Sequence, residues 1–347
     1  MKRHERVRAF VRTIWDWYST NKRSLPWRDL PDTDPTERAY KVLVSEIMLQ
    51  QTQVPRVIVT YKNFLERFPT LRYLAAASNA DVLRAWRGMG YNSRALRLRD
   101  AAKEIMVRSA HHDIGFPTSM DDLMDIPGIG HYTAAAIRNF AFNIPTPCID
   151  TNIRRILHRT FVGPENSDGN WNKDDEYLLG IAGEVLTFAM QISLAPTASS
   201  ARSSLSRFEK SAWLSSSAEW HAALMDYGSL VQTKRNPKWD ICPLTKKGIM
   251  KTTPLRAARF AGQAKKKTLK KEPGRRVGST FIPNRIFRGR VVDALRDAPR
   301  GLTLEDIGSR VALDWNPEAH REWLDGILAQ LAREAMVRPQ RGRYVLG

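Results

Sequence analysis

Cysteine is almost missing from this 347-residue chain, which holds only Cys148 and Cys242. Two thiols exclude a disulfide framework, and a reducing cytoplasm is the expected setting. Apolar runs are short. None approaches the roughly 18 residues needed to span a bilayer, so no membrane association is expected. The opening Met1-Lys2-Arg3-His4-Glu5-Arg6 lacks the apolar centre of a signal peptide. Negative charge is in deficit, with 36 Asp and Glu against 55 Lys and Arg, a formal charge of +19. An excess of that size points to a polyanionic partner, nucleic acid first, ahead of a merely solubilising surface. Alternating strand patterns are absent before residue 250, and no internal repeat is found.

What the chain does contain is helix. With 42% hydrophobic residues it can build real cores, and its length suits two or three domains. Helical periodicity covers residues 5–18 and about 38–50, 54–67, 79–87 and 93–109. Turns fall near Pro69, Gly88-Met89-Gly90 and Gly115-Phe116-Pro117, so residues 1–250 read as all-α. Residues 195–217 are serine-rich and read as an exposed insertion. Residues 251–283 form a basic linker, Lys265-Lys266-Lys267 and Arg275-Arg276 included, that either lies along phosphates or is a solvated tether. In 284–347, helical patterns at Ile286–Asp297, Leu304–Val311 and Glu318–Ala335 precede a short wing ending at Leu346. Three helices and a wing predict a small winged-helix-like α+β module.

Three stretches carry chemistry. In Ile126-Pro127-Gly128-Ile129-Gly130-His131-Tyr132-Thr133, a glycine turn joins a capped helix start at Thr118–Leu123 to the Ala-rich run Tyr132–Phe142. Bare backbone N–H groups at such a turn can grip one phosphate, although Pro-Gly-x-Gly also serves ordinary helix–helix turns. In Ser45–Gln53, Glu46 lies among Val42, Leu43, Ile47 and Leu49. Apolar surroundings let such a carboxyl hold a proton near neutrality, as a general acid must; an exposed helix Glu is the alternative. Gln50, Gln51 and Thr52 are either a polar helix end or groups that read base edges. Asp150, after Pro147-Cys148-Ile149, is placed to stay ionised at a helix start, or is simply an N-cap. One carboxyl that protonates a leaving group and one that stabilises an oxocarbenium-like centre together cleave glycosidic bonds.

In order, Leu25-Pro26-Trp27-Arg28, Ser45–Val54, Gly88-Met89-Gly90-Tyr91, Ile126–Ala134 and Ile149–Arg155 closely resemble the helix-hairpin-helix DNA glycosylases, most of all the MutY-type adenine glycosylases. The resemblance covers about residues 10–245. It implies an all-α, two-lobed fold with DNA bound across the cleft between the lobes, to which 284–347 adds the small C-terminal winged-helix-like module read from its own pattern. It makes Glu46 the acid that protonates a flipped adenine and Asp150 the carboxylate that stabilises the sugar cation. Tyr132 and Asn152 match residues that orient these carboxyls. Gln51, Thr52, Met89 and Tyr91 match positions beside the damaged base opposite. Gly128, Ile129, Gly130 and His131 match the phosphate-gripping hairpin, which in the family also holds a monovalent cation. The implied partner is double-stranded DNA carrying a mismatch or damaged base, bound by a monomer. Bifunctional relatives have a lysine at the Tyr132 position, and some adenine glycosylases have one at Arg154, so a monofunctional enzyme with little lyase activity is expected.

Three features depart from the family, the serine-rich insertion at 195–217 being one. Most members carry four cysteines, spaced six, two and five residues apart, that ligate a [4Fe–4S] cluster. Here those positions read Gln232, Trp239, Cys242 and Gly248, so no cluster is expected, with Trp239 filling the space as an apolar plug. The usual C-terminal domain that recognises 8-oxoguanine is β-rich, and 284–347 is too short and too helical for it. A thymine or uracil mismatch glycosylase acting opposite guanine, and a non-catalytic DNA-binding scaffold, remain alternatives to adenine removal.

Overall fold

The structure, a computed structural model, describes residues 1–31, 34–108, 115–166, 171–194, 216–252 and 272–347. Residues 195–215 of the serine-rich insertion and 253–271 of the basic linker lie outside the described residues. In chain order the helices are α1 (Arg3–Asn21), α2 (Pro35–Leu49), α3 (Val54–Arg67), α4 (Leu71–Ala76) and α5 (Asn79–Ala85). Next come α6 (Ser93–Arg108), α7 (Met120–Met124), α8 (His131–Phe140), α9 (Thr151–Leu157) and α10 (Asp175–Leu194). The last are α11 (Ser217–Leu230), α12 (Pro243–Lys246), α13 (Asn284–Arg296), α14 (Leu304–Val311) and α15 (Pro317–Arg333). Two antiparallel hairpins complete the fold: β1 (Gly274–Val277) with β2 (Thr280–Pro283), and β3 (Val337–Gln340) with β4 (Arg343–Leu346). No helix among the described residues is long and apolar enough to cross a membrane.

The chain forms two compact units, each gathered from separate segments. The first comprises residues 1–31, 118–124 and 129–267. Its core follows from helical spacing: Val7, Phe10, Val11, Ile14 and Tyr18 of α1 bury one face against Leu178, Ile181 and Val185 of α10 and Trp220 of α11. Phe10 meets the rings of Phe161 and Trp220 edge-on at 5.3 and 6.2 Å. Helix α11 escapes periodicity analysis because it is enclosed nearly all round, with Trp220, His221, Ala223, Asp226 and Tyr227 all buried. A helix with no solvent face gives no contrast to read.

His221 illustrates what that enclosure does. Its Nδ1–H donates to the Ser217 carbonyl at 2.7 Å, and burial pushes its pKa down to about 4. The unfolded chain binds this proton near pH 6.5. Stability is therefore full above that value and falls as pH drops toward 4. Thermal melts of His221→Gln should show a weaker loss between pH 7 and 4.5 than wild type.

The second unit comprises residues 32–117, 125–128 and 268–347. Helices α2 to α6 surround Tyr40, Leu43, Phe64, Leu74, Leu83, Trp86 and Leu98. Side-chain caps start α2 and α5: Asp34 accepts from Thr36 N–H at 2.9 Å, and Ser78 from Asp81 N–H at 3.1 Å. Helix α4, under two turns long, is too short to show a period and was not expected.

In the same unit α13, α14, α15 and the β3–β4 hairpin form the C-terminal three-helix module, with Leu302 bridging to Tyr344. The β1–β2 hairpin lies inside the stretch whose composition reads as linker. The reason is Arg275, which reads as a solvated charge. Its guanidinium lies 5.4 and 4.6 Å from the rings of Phe287 and Trp323, and Nη1 donates to Asp314 at 2.9 Å. The module is tied to α5 and its neighbours. Arg296 Nε donates to the Leu83 carbonyl and Nη2 to Asn92 Oδ1, both at 2.9 Å, and Asn79 Nδ2 donates to Ala335 O at 2.8 Å.

Candidate active site

In the first unit Asp150 is the N-cap of α9. Its Oδ1 accepts the backbone N–H groups of Asn152 (2.9 Å) and Ile153 (2.6 Å), and Oδ2 accepts Asn152 Nδ2 at 2.8 Å. Cap and candidate catalytic carboxylate are thus one group. The sequence argument expected these donors to keep it readily ionised. Burial outweighs them and pushes the pKa above the usual range, with the Ile153 and Asn152 bonds and the Arg155 charge opposing the shift.

Two residues with no role assigned from sequence, Arg155 and Gly228, hold this carboxylate in place. Arg155 donates to Asn152 Oδ1 at 2.6 Å, to Gly228 O at 2.9 Å, to Thr151 O at 3.2 Å, and to Gln232 O. It therefore fixes the amide that fixes Asp150. Gly228 lets α11 approach α9, since an added Cβ would meet Asn152 Cβ at 2.7 Å and its Cα and carbonyl oxygen at 3.1 Å. Gly228→Ala must move the Asp150 helix. A loss of about 1–3 kcal/mol in denaturant melts, together with slower catalysis, is expected. Two residues earlier in α11, the buried Asp226 accepts Arg23 Nε at 2.7 Å and Arg28 Nη1 at 2.9 Å. This anchors the loop that carries Leu25-Pro26-Trp27-Arg28.

Between α7 and α8 the hairpin turn has Gly128 at φ +94°, a left-handed conformation that a side chain would strain. Ile129 is buried; Gly130, the N-cap of α8, and His131 are exposed. Gly130 puts no capping side chain over the first turn of α8. Tyr132, in the first turn of α8, packs half-buried against the core of this unit.

In the second unit Glu46 is 7% exposed in the last turns of α2. The end of that helix is held by Arg94, a buried cation with no sequence signal. Nη1 donates to the carbonyls of Ile47 (3.0 Å), Met48 (3.1 Å) and Gln50, and Nη2 to Thr52 Oγ1 (3.0 Å) and Met89 O (3.3 Å). Burial lowers its pKa to about 10, and Trp86 and Tyr91 flank it at 5.5 and 5.6 Å. Arg94 thus joins two stretches that the resemblance alone assigns to one base: Gln51 and Thr52, and Met89 and Tyr91. Gln51 (φ 55°) and Tyr91 (φ 46°) both adopt the left-handed conformation that non-glycine residues rarely take. Tyr91 is 54% exposed, whereas Met89 is buried and contributes packing.

A profile described as HhH-GPD superfamily base excision DNA repair protein matches residues 44–174. The adenine DNA glycosylase of Mycolicibacterium smegmatis is 34% identical over 291 residues, 84% of this chain and 81% of that one. This chain belongs to the HhH-GPD superfamily, among the adenine DNA glycosylases. The Mycobacterium tuberculosis adenine DNA glycosylase is 32% identical over 333 residues, 95% of this chain and 91% of that one. A solved thermostable thymine-DNA glycosylase has the same fold, with TM-score 0.53 and 24% identity over 71% of this chain and 96% of that one. As a member of its family the chain is an enzyme, a DNA N-glycosylase of base excision repair.

Against the glycosylase family's [4Fe–4S] site, the donor set does not fit, since such a cluster takes four thiolates. Cys242 Sγ is buried 3.0 Å from Tyr227 Oη and 3.3 Å from Gln232 Nε2. Gln232 Oε1 accepts Arg159 Nη1 at 3.1 Å. The expected plug is corrected in one respect. Trp239 is only half-buried, its ring 5.7 Å from the Arg159 guanidinium, and fully buried Gln232 and Cys242 fill the interior instead. Gln232 can do so because both ends of its amide are hydrogen-bonded. Arg154, at the position of a trapping lysine, pairs with Asp175.

Proposed function

We propose that this glycosylase hydrolyses the N-glycosidic bond of an adenine flipped from duplex DNA, where it is mispaired with 8-oxoguanine or guanine. The observation that carries the reading is Asp150, a carboxylate held on both oxygens at a helix N-terminus. Glu46 protonates the departing base, and the ionised Asp150 stabilises the sugar cation until water adds. The base must leave the stack because its glycosidic bond is out of reach within it. Tyr132 and Asn152 orient the carboxyls; Gln51, Thr52, Met89 and Tyr91 attend the opposite base; and the amides of Gly128, Ile129, Gly130 and His131 grip phosphate. With Tyr at 132 and Arg at 154, neither position offers an amine to attack the sugar, so the strand stays intact. The protein works as a monomer without an iron–sulfur cluster.

The test is single-turnover base release on duplexes carrying 8-oxoguanine:A, G:A, G:T or G:U, with borohydride added to trap any Schiff base. Adenine release without trapping supports the reading. Release from G:T or G:U alone, or efficient trapping, refutes it.

A further inference from the structure

The C-terminal hairpin turns on an arginine. Strands β3 and β4 pair Gln340 with Arg343, so Arg341 and Gly342 alone close the turn. Their φ angles are 49° and 75°. Two consecutive positive φ values belong to the tight type I′ turn, which favours Asn-Gly because few other side chains accept a left-handed backbone. Arg341 accepts it without compensation, since its exposed side chain makes no hydrogen bond or ion pair among the described residues. A disfavoured backbone at an exposed tip, carrying a free guanidinium, marks a group held out for a partner.

The hairpin around it is basic and braced. From Val337 to Gly347 the chain carries Arg338, Arg341 and Arg343 and no acidic side chain. Arg338 is exposed and, like Arg341, unpaired among the described residues. Residues 301 and 302 brace β4: Leu302 N–H donates to Tyr344 O at 3.0 Å, and Tyr344 N–H to Leu302 O at 2.8 Å. Arg343 Nη1 donates to Gly301 O at 3.2 Å. Gly301 has no room for a side chain, because a Cβ would meet Tyr344 O at 2.7 Å and Val345 Cγ1 at 2.8 Å. The base of the hairpin is thereby fixed, while Gln340, Arg341 and Gly342 at its tip stay exposed.

Helix α15 supplies the contrast. Three-helix relatives of the helix-turn-helix read the major groove with their third helix. On α15 the exposed charges are Glu318, Glu322 and Asp325 against Arg321 and Arg333, and Arg321 is already paired with Glu305 at 3.4 Å. Phosphate repels such a face. The minor groove, about 6 Å wide, is too narrow for a helix but takes an arginine, most readily where A·T tracts narrow it further.

We propose that the β3–β4 hairpin is a minor-groove contact, with Arg341 inserted into the groove of duplex DNA and Arg338 on a neighbouring phosphate. The C-terminal module then meets DNA through its wing and not through its third helix. This rests on the adenine-glycosylase reading only for the partner, duplex DNA.

The experiment measures binding of the full-length protein to a duplex bearing a tetrahydrofuran abasic analogue opposite guanine, its flanks made of either A·T tracts or G·C pairs. Single-turnover adenine release at saturating protein is followed alongside. Asparagine suits the turn better than arginine, so the Tm of Arg341→Asn should equal or exceed that of wild type. Its Kd should nevertheless rise about tenfold and its log–log salt slope fall by about one. Wild type should bind the A·T-flanked duplex more tightly, and Arg341→Asn should lose that preference. Arg338→Gln should weaken binding to both duplexes alike, whereas Arg321→Glu on α15 should change Kd less than about twofold. Adenine release at saturating protein should be the same for Arg341→Asn and wild type. The proposal is overturned if Arg341→Asn binds like wild type, if it keeps the flank preference, or if Arg321→Glu is the weaker variant. Wild-type protein that binds with this pattern yet releases no adenine would sink the catalytic reading while keeping the hairpin contact.

Discussion

Asp150→Asn should slow adenine release on the order of 10³-fold under single-turnover conditions, while DNA binding persists. Asn keeps the α9 cap, because it can accept the same amide N–H groups, but it brings no negative charge to the sugar cation. Stability should move the other way. Burial raises the Asp150 pKa, so the folded state prefers the protonated carboxyl and is destabilised as pH rises through that value. At neutral pH the wild type carries this cost and Asp150→Asn does not. The variant's Tm should therefore equal or exceed that of wild type at pH 7.5 and converge with it in acid. For catalysis the sign is opposite, since only the ionised form works. The acid limb of the wild-type rate should lie above the range of an ordinary aspartate.

Glu46→Gln should cost roughly 10²–10⁴-fold in adenine release, the usual worth of a positioned general acid. The swap is nearly isosteric within α2, so binding to an abasic-analogue duplex should be unchanged. Gln cannot deliver a proton to the departing base. A non-catalytic scaffold would be indifferent to the change, which makes retained release at wild-type rate the contrary result.

What was legible in the sequence was what repeats or is written locally. The α1, α2 and α3 faces follow from apolar spacing, and the Ser119 cap, the Gly128 turn and Asp150 follow from residue type at fixed positions. Helix α11 was not legible, because burial on nearly all sides removes the contrast on which periodicity depends. The β1–β2 hairpin was hidden by arginines, one of which packs among aromatic rings. Within the candidate site, Glu46, Asp150, Asn152 and the hairpin could be named in advance, but the more distant supports could not. Arg94, Arg155 and Gly228 act through carbonyls and close approach across long sequence separations. No local pattern encodes such contacts.

The most direct measurement is chromatographic detection of free adenine from an 8-oxoguanine:A duplex, comparing wild type with Asp150→Asn under single-turnover conditions. The account predicts adenine from wild type, almost none from the variant, and an uncut strand until alkali is added. Adenine release at equal rates from both proteins, or none from wild type that binds the duplex, would contradict it.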